Sequence, residues 1–587
     1  MFAAKLRERG RIALLLARAF TRALRRVVYV SPLYRWRFSG PMADRLLLAP
    51  QDLRTSDPTV ANEIYDGRFS LAGQVAAIGQ GSPFTLVPPP SPEWQRELVE
   101  FGWLRHLRAT NAALARSQAR ALIDDGILSA GQWREPSADP EVTARRIISW
   151  LCHSPLILEG ADRPFYRRFL RSLNRQIRYL RKAASTAPEG LPRLTAIIAL
   201  NYAGLCLGGL NRLQRRSARW LNEELTRQVL PDGGHVSRDP GAIVTMLLDL
   251  LPLRQTFSAR QIQPPPGLLN AIDRMMPMIR FFRHGDGAFA LFNGMGASPT
   301  DAAATVLAYD DSFGKPIDNA SYSGYQRLTA GETTLIMDTG PPPPIALSEK
   351  AHAGCLAFEL SAGPQRIIVN CGIPVNDSRA WRRAARSTAA HSTATIEDTS
   401  SCRFAIDHWL AEILGEVVLV GPRQVQVARD TAEGRVRVAA RHDGYRQRFG
   451  ILHERRLELS ADGRSLAGED NFTTSRKRAN PGYALRFHLH PEIRASRAEN
   501  GKSISLTLPN KETWNFVVQG AEAEIEESVY LPEADGPRRT DQIVVYGRIN
   551  HQPRVAWSLA QASDAAGKAI STGTKAVEAP ELPLEQE

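Results

Sequence analysis

Apolar residues recur at intervals of three and four through residues 93–285, in stretches such as WQRELVEFGWLRHLRA, ARRIISWLCH, FYRRFLRSLNRQIRYLRKA and SARWLNEELTRQVL. That spacing puts one apolar stripe on each of a series of α-helices. Pro155, Pro164, Pro188 with Gly190, and Pro231 with Gly233 and Gly234 punctuate the series. Many amphipathic helices joined by short loops predict a helical array closed on itself, an (α/α) toroid. After Gly285 the period changes. Runs such as TTLIMDTG, CLAFELSAG, QRIIVNCG, RRLELSADGRSL, YALRFHLHP and QIVVYGRI alternate or are β-branched, with turn pairs such as Asp462-Gly463 between them. Strands at this spacing predict a large antiparallel β-sandwich over residues 286–565. The polar, proline-bearing residues 566–587 read as a disordered tail, and residues 1–92 as a lead-in.

The lead-in opens with a pattern of its own. Arg7, Arg9, Arg11, Arg18, Arg22, Arg25 and Arg26 alternate with apolar residues at helical spacing, which predicts a basic amphipathic helix over residues 1–30. Its apolar run, Ile12 to Ala17, is shorter than a secretory signal core and ends at Arg18, so no signal peptide is recognised. No other stretch is apolar and long enough to span a bilayer. Two readings stay open: peripheral contact with a membrane surface, or a helix covering part of the protein.

Composition narrows the partners. At 587 residues the chain exceeds one hydrophobic core and implies two domains. Cys152, Cys206, Cys355, Cys371 and Cys402 form no Cys-x-x-Cys pair and read as small core residues. A net charge of +13, carried mainly by arginine, attracts a polyanion. No helix-turn-helix, RNA-binding signature or zinc-finger spacing accompanies it, so nucleic acid is not the expected partner. Arginine's planar fork suits carboxylates, which points to an acidic ligand.

Three segments carry the candidate chemistry. In QVLPDGGHVSRDP, Asp232, Gly233 and Gly234 precede His235, Arg238 and Pro240. In EKAHAGCLAFELSAGPQRIIVNCG, His352 precedes a strand with Phe358 and Glu359, and Asn370 lies at the end of the next. ARSTAAHSTATIED supplies His391. Together they resemble the heparinase II/III-like polysaccharide lyases, over nearly the whole chain after residue 90. The resemblance implies an (α/α) toroid followed by an antiparallel β-supersandwich. It implies eliminative cleavage of an acidic, uronate-containing polysaccharide or oligosaccharide, glycosaminoglycan or alginate-like, where the two domains meet. It also places the chain in the periplasm or cell envelope. Finally, it implies a structural zinc site at His352, Asn370 and His391. There Asn370 replaces the family's aspartate with a neutral carbonyl, and a hydrogen-bonded network is the alternative.

β-Elimination requires a group that neutralises the C5 carboxylate, a base for the C5 proton and an acid for the leaving O4. His235 and Arg238, three apart beyond a helix end, are candidates for proton exchange and neutralisation. Tyr445, beside His442, resembles the sandwich tyrosine that some of these lyases use near the leaving oxygen. A phenol serves there if cationic neighbours lower its pKa. His442, with His488 and His490 on one face of a strand, are candidate substrate contacts. The expected arrangement has His235 and Arg238 facing Tyr445 across an arginine-lined cleft. Arg455-Arg456 and the charges at Arg476–Arg478 read as solvated strand faces, and Tyr325 as packing.

Two positions depart from the family. Gly190-Leu191-Pro192 stands where the family opens a helix with an Asn-His pair, and Ala242 stands at its usual catalytic tyrosine. The sequence therefore supports two functions: a lyase with a modified elimination, or a catalytically degenerate glycan-binding or envelope-assembly protein on the same fold.

Overall fold

The computed structural model describes residues 2–31, 43, 45–79, 81–86, 88–110, 112–129, 136–310, 314–374, 378–475, 480–498, 503–533, 536–562 and 582. The expected disordered tail and the charges at Arg476–Arg478 lie outside the described residues, except Leu582. The chain divides into two compact units, Met1–Val229 with Val244–Arg274 and Asp301–Ser312, and Leu230–Ile243 with Met275–Thr300 and Phe313–Glu587.

The first unit is helical. Its helices start where a short polar residue precedes a proline: Ser91 accepts from the Trp94 amide, Asp139 from Glu141 and Val142, and Asp162 from Phe165. Each side-chain oxygen satisfies an amide that the first turn leaves without a partner, and proline there removes another. Helix Leu191–Cys206 opens differently, on Gly190 at φ +85° with a proline in its first turn and no side-chain cap. Its residues from Leu194 to Cys206 are all buried. A helix apolar all round is the centre of its unit, and it packs against Pro140–Cys152 and Asn211–Gln228. Nearby, Asp249 is buried between Arg54 and Arg145, each 2.6 Å from one carboxylate oxygen. The N-terminal helix Phe2–Val30 reaches this unit at Tyr29, which packs against Tyr179 and Ala183.

The second unit is built on antiparallel sheets. One runs, in spatial order, Ala523–Tyr530, Arg538–Arg548, Gly482–Leu489, Gln365–Val369, Phe358–Ala362, Thr333–Asp338, Tyr325–Ala330 and Asn319–Ala320, with Ala394–Ile396 joining beside Gly482–Leu489. The other runs Val425–Ala432, Arg435–His442, Ile451–Leu459, Ser465–Thr474, Arg554–Gln561, Thr513–Val518, Ser503–Thr507 and Arg494–Arg497. Alternation explains why these segments pair as two faces around one core. In Ile451–Leu459 every second residue is buried, and one cluster collects Leu335, Phe358, Leu457, Phe487 and Trp557 from both sheets. All five cysteines are buried and free.

The same alternation corrects the reading of Arg455. It shares the inward face with Ile451, Leu457 and Leu459, and is fully buried. Asp470 is its cross-strand partner in register and receives it at 2.8 and 3.1 Å, while Arg455 also donates to the Leu356 and Ser392 carbonyls. Buried charge persists because each of its three nitrogens finds an acceptor and the carboxylate neutralises it. Arg456 points the other way and bonds Glu454.

Candidate functional site

The loop QVLPDGGHVSRDP is shaped by its glycines and its aspartate. Asp232 accepts from the Gly234 amide and holds the turn at Ser323 through that residue's amide and hydroxyl, both at 2.6 Å. A Cβ on Gly234 would lie 1.9 Å from Ser323 Oγ. Only glycine allows so close an approach.

Past this turn Arg238 adopts φ +62° and turns inward, 8% exposed. Its Nε donates to Ser323 O, its Nη1 to Gly340 O and Pro341 O, and its Nη2 to Gly324 O and to Asp338 Oδ1 at 2.5 Å. A guanidinium has five N–H donors, and all five are committed to the protein. Burial alone would lower the Arg238 pKa, but the Asp338 charge, together with its hydrogen bond and the neighbouring Tyr325, offsets this and raises the group above its ordinary value. The guanidinium also covers the Tyr325 ring at 4.6 Å.

From Arg238 a polar network runs into the sandwich. Tyr325 donates its hydroxyl proton to Arg238 O, and Asn293 Nδ2 donates to Tyr325 Oη and Asp338 Oδ2. Asn293 Oδ1 accepts the His352 amide. His352 Nδ1 lies 2.9 Å from His391 Nε2, and His391 Nδ1 lies 2.7 Å from Ser387 O. A carbonyl only accepts, so His391 carries its proton on Nδ1. His352 therefore donates from Nδ1 and receives the Gly294 amide at Nε2. Both rings are neutral in this chain of bonds, consistent with burial pushing their pKa values down, His391 to about 4.

This geometry bears on zinc. The expectation is that His352, Asn370 and His391 converge; the two histidine rings meet, with each ring nitrogen already in a hydrogen bond, while the Asn370 side chain bonds elsewhere. Asn370 donates its amide to Glu359 and accepts the Ser392 amide. Among the described residues no group of three or more His, Cys, Asp or Glu side chains is arranged to hold a metal. The polar atoms of the three residues are taken up by hydrogen bonds within the chain.

The other expected site residues are likewise in interior roles. Tyr445 is buried and donates to Ala394 O at 2.8 Å; burial raises its pKa, the opposite direction to the activation expected. His235 is 2% exposed, accepts the Ser237 amide at Nδ1, and is pushed by burial down to about 4, below the neutral range expected for proton exchange. His442 accepts the Gly444 amide and pairs with His453, which bonds Asp470 at 2.7 Å. His488 bonds Ser528 and the Ala389 carbonyl, and His490 receives Arg366. Burial lowers both to about 3. Ala242 is buried in helix Pro240–Ala259 and offers no hydroxyl.

Tyr325, Asn293, Asp338 and Asp470 form the centres of these networks and were not singled out as site residues. Nothing in the local pattern distinguishes an inward polar residue on a strand from an outward one until its partner across the core is known. A cavity of about 470 Å³ opens over Arg238, lined by Asn319, Ser321, Tyr322, Thr339, Pro342 and Arg429 among others.

The model of the heparinase II/III-like C-terminal domain family matches residues 314–558. FtsZ-localized protein C of Caulobacter vibrioides is 32% identical over 542 residues, covering 90% of this chain and 92% of that protein. The crystal structure of heparinase III superposes with a TM-score of 0.68 at 14% identity, over 90% of this chain and 88% of that one. A mutant of heparan sulfate lyase HepC from Pedobacter heparinus superposes with a TM-score of 0.61 at 15% identity, over 90% and 87%. At these identities the solved structures establish a shared fold: an (α/α) toroid followed by a β-sandwich, the fold of polysaccharide lyases.

Proposed function

The chain belongs to the heparinase II/III-like family, and from that premise we propose that it serves as a glycan-binding or envelope-assembly protein associated with FtsZ, on a lyase fold that no longer performs the elimination. The observation that carries this reading is Arg238, whose five donors are all held by the protein. A uronate carboxylate would have to displace one or two of these acceptors, four carbonyls and a buried aspartate, which costs about 1–3 kcal/mol for each carbonyl left unpaired and more for the aspartate. Tyr445 supports the same reading, since its phenol is neutral and buried. The association with FtsZ rests on the name and full-length similarity of the Caulobacter vibrioides relative.

Attachment to the cell envelope has support of its own. Helix Phe2–Val30 exposes Phe20 (70%), Leu24 (54%) and Val27 (69%), at spacings of four and three along one face, with Arg18 and Arg25 also exposed. Such a helix lies in the plane of a bilayer interface. Among the described residues no helix is long and apolar enough to cross a membrane.

The cavity over Arg238 favours a second reading, an oligosaccharide-binding or modified eliminative site, because hydroxyls, an amide and an arginine converge on it. One experiment separates the two. The full chain is incubated with a panel of uronate polymers and the ultraviolet absorbance of the 4,5-unsaturated product is followed. The proposed function expects no accumulation of product and co-localisation of a tagged chain with FtsZ. Sustained product formation, lost on Arg238→Ala in protein that remains folded, establishes the lyase instead.

A further inference from the structure

We infer that helix Arg163–Ala183 is an electrostatic docking face for anionic lipid headgroups, working with the apolar face of the N-terminal helix; this rests on the membrane attachment proposed above. The helix carries eight cations and no Asp or Glu. Its apolar face, including Phe165, Phe169, Leu173, Ile177 and Leu180, is buried in the unit. Its other face presents Arg163, Arg167, Arg168, Arg171 and Arg181, all exposed. Arg163, Arg167 and Arg171 follow one another at four-residue spacing, so they line one side of a helix about 30 Å long.

An ordinary solvated helix mixes signs, because like charges four apart repel and opposite charges attract. Here the helix carries like charges with no acidic residue of its own. Arg178 registers their repulsion: burial first, and then the Arg181 charge, lower its pKa. Arg168 has an acidic partner, with Asp124 at 2.7 Å. A surface organised this way is complementary to a dense layer of negative charge.

An anionic bilayer is the occupant that also accounts for the neighbouring helix. The N-terminal helix belongs to the same unit and packs against the end of this one, through Tyr29 on Tyr179 and Ala183. Its exposed Phe20, Leu24 and Val27 have no use for a soluble polyanion. They suit the boundary between headgroups and acyl chains, where basic residues alongside add attraction to anionic lipid.

The test is flotation of the full chain with vesicles of phosphatidylcholine alone or with a phosphatidylglycerol fraction, at low and high salt. Three proteins are compared: wild type, Arg167→Glu with Arg171→Glu, and Phe20→Glu with Leu24→Glu. Circular dichroism and thermal unfolding confirm that each is folded. We expect wild type to prefer phosphatidylglycerol vesicles in a salt-sensitive manner. The arginine variant should lose at least about 30-fold in affinity for them. If wild type binds and the arginine variant binds equally well, the docking face is refuted while membrane attachment stands. If only the Phe20 and Leu24 variant loses binding, the N-terminal helix acts alone and this inference fails. If no vesicle is bound but a heparin oligosaccharide is, dependent on Arg167 and Arg171, the stripe is a saccharide site and both the lipid face and the membrane reading fall.

Discussion

Arg238 and Asp338 form a buried ion pair, Nη2 to Oδ1 at 2.5 Å, in which the residue expected to meet a substrate carboxylate meets a carboxylate of its own chain. Asp338 also accepts the Gly340 amide and the Asn293 side chain. The pair is thus part of the sandwich's interior, and its arginine lines the cavity.

Removing one partner of such a pair leaves a charge uncompensated in the interior. Arg238→Ala is expected to destabilise the protein by about 3–5 kcal/mol, and Asp338→Ala comparably. Arg238→Lys should recover little, because an ammonium has three donors where five acceptors wait. Urea unfolding of the three variants checks this. Wild-type stability in Arg238→Ala would remove the argument that its fork is structurally committed.

Gly234 and Ser323 should be energetically coupled. Gly234→Ala places a methyl against Ser323 Oγ and is expected to cost about 1–3 kcal/mol through overpacking. In a Ser323→Gly background the same substitution should cost clearly less. A double-mutant cycle with no coupling would show that the two do not approach as described.

Acid should destabilise the protein early. Burial lowers His235 from 6.5 to about 4 and His488 from 6.5 to about 3. Their folded pKa values lie below the unfolded ones, so the unfolded chain binds more protons in that window. Stability is full above about pH 6.5 and falls as pH drops towards 4, by about 1.4 kcal/mol per unit for each such histidine. Asp470, held at about 2 against an ordinary 3.8, adds a further loss as pH falls below about 4. Urea midpoints between pH 7.5 and 4.5 should decline accordingly, and His488→Gln should flatten the decline.

Chelation should leave the sandwich intact. With the ring nitrogens of His352 and His391 in hydrogen bonds, dialysis against a strong zinc chelator is expected to leave the thermal midpoint unchanged. Stoichiometric zinc in protein purified without chelator, with a midpoint that falls on its removal, would contradict this.

Much of this architecture is written in local periodicity. Three-and-four spacing in RLTAIIALNYAGLC and alternation in ILHERRLEL are properties of neighbouring residues, and burial acts on them in the same way wherever the segment lies in the fold. The motif residues were equally legible: Asp232, Gly234, His352 and His391 all take specific roles, and the histidine pair meets. What the sequence could not decide was which polar side chains face inward and what they find there. Arg238 could serve a ligand or a carboxylate a hundred residues away, and only the fold brings Asp338 and four carbonyls to its five donors. Arg455 looked like surface until Asp470 stood opposite it in register. The fate of a polar residue depends on partners supplied by distant strands, so that half of the protein's chemistry was decided by tertiary structure.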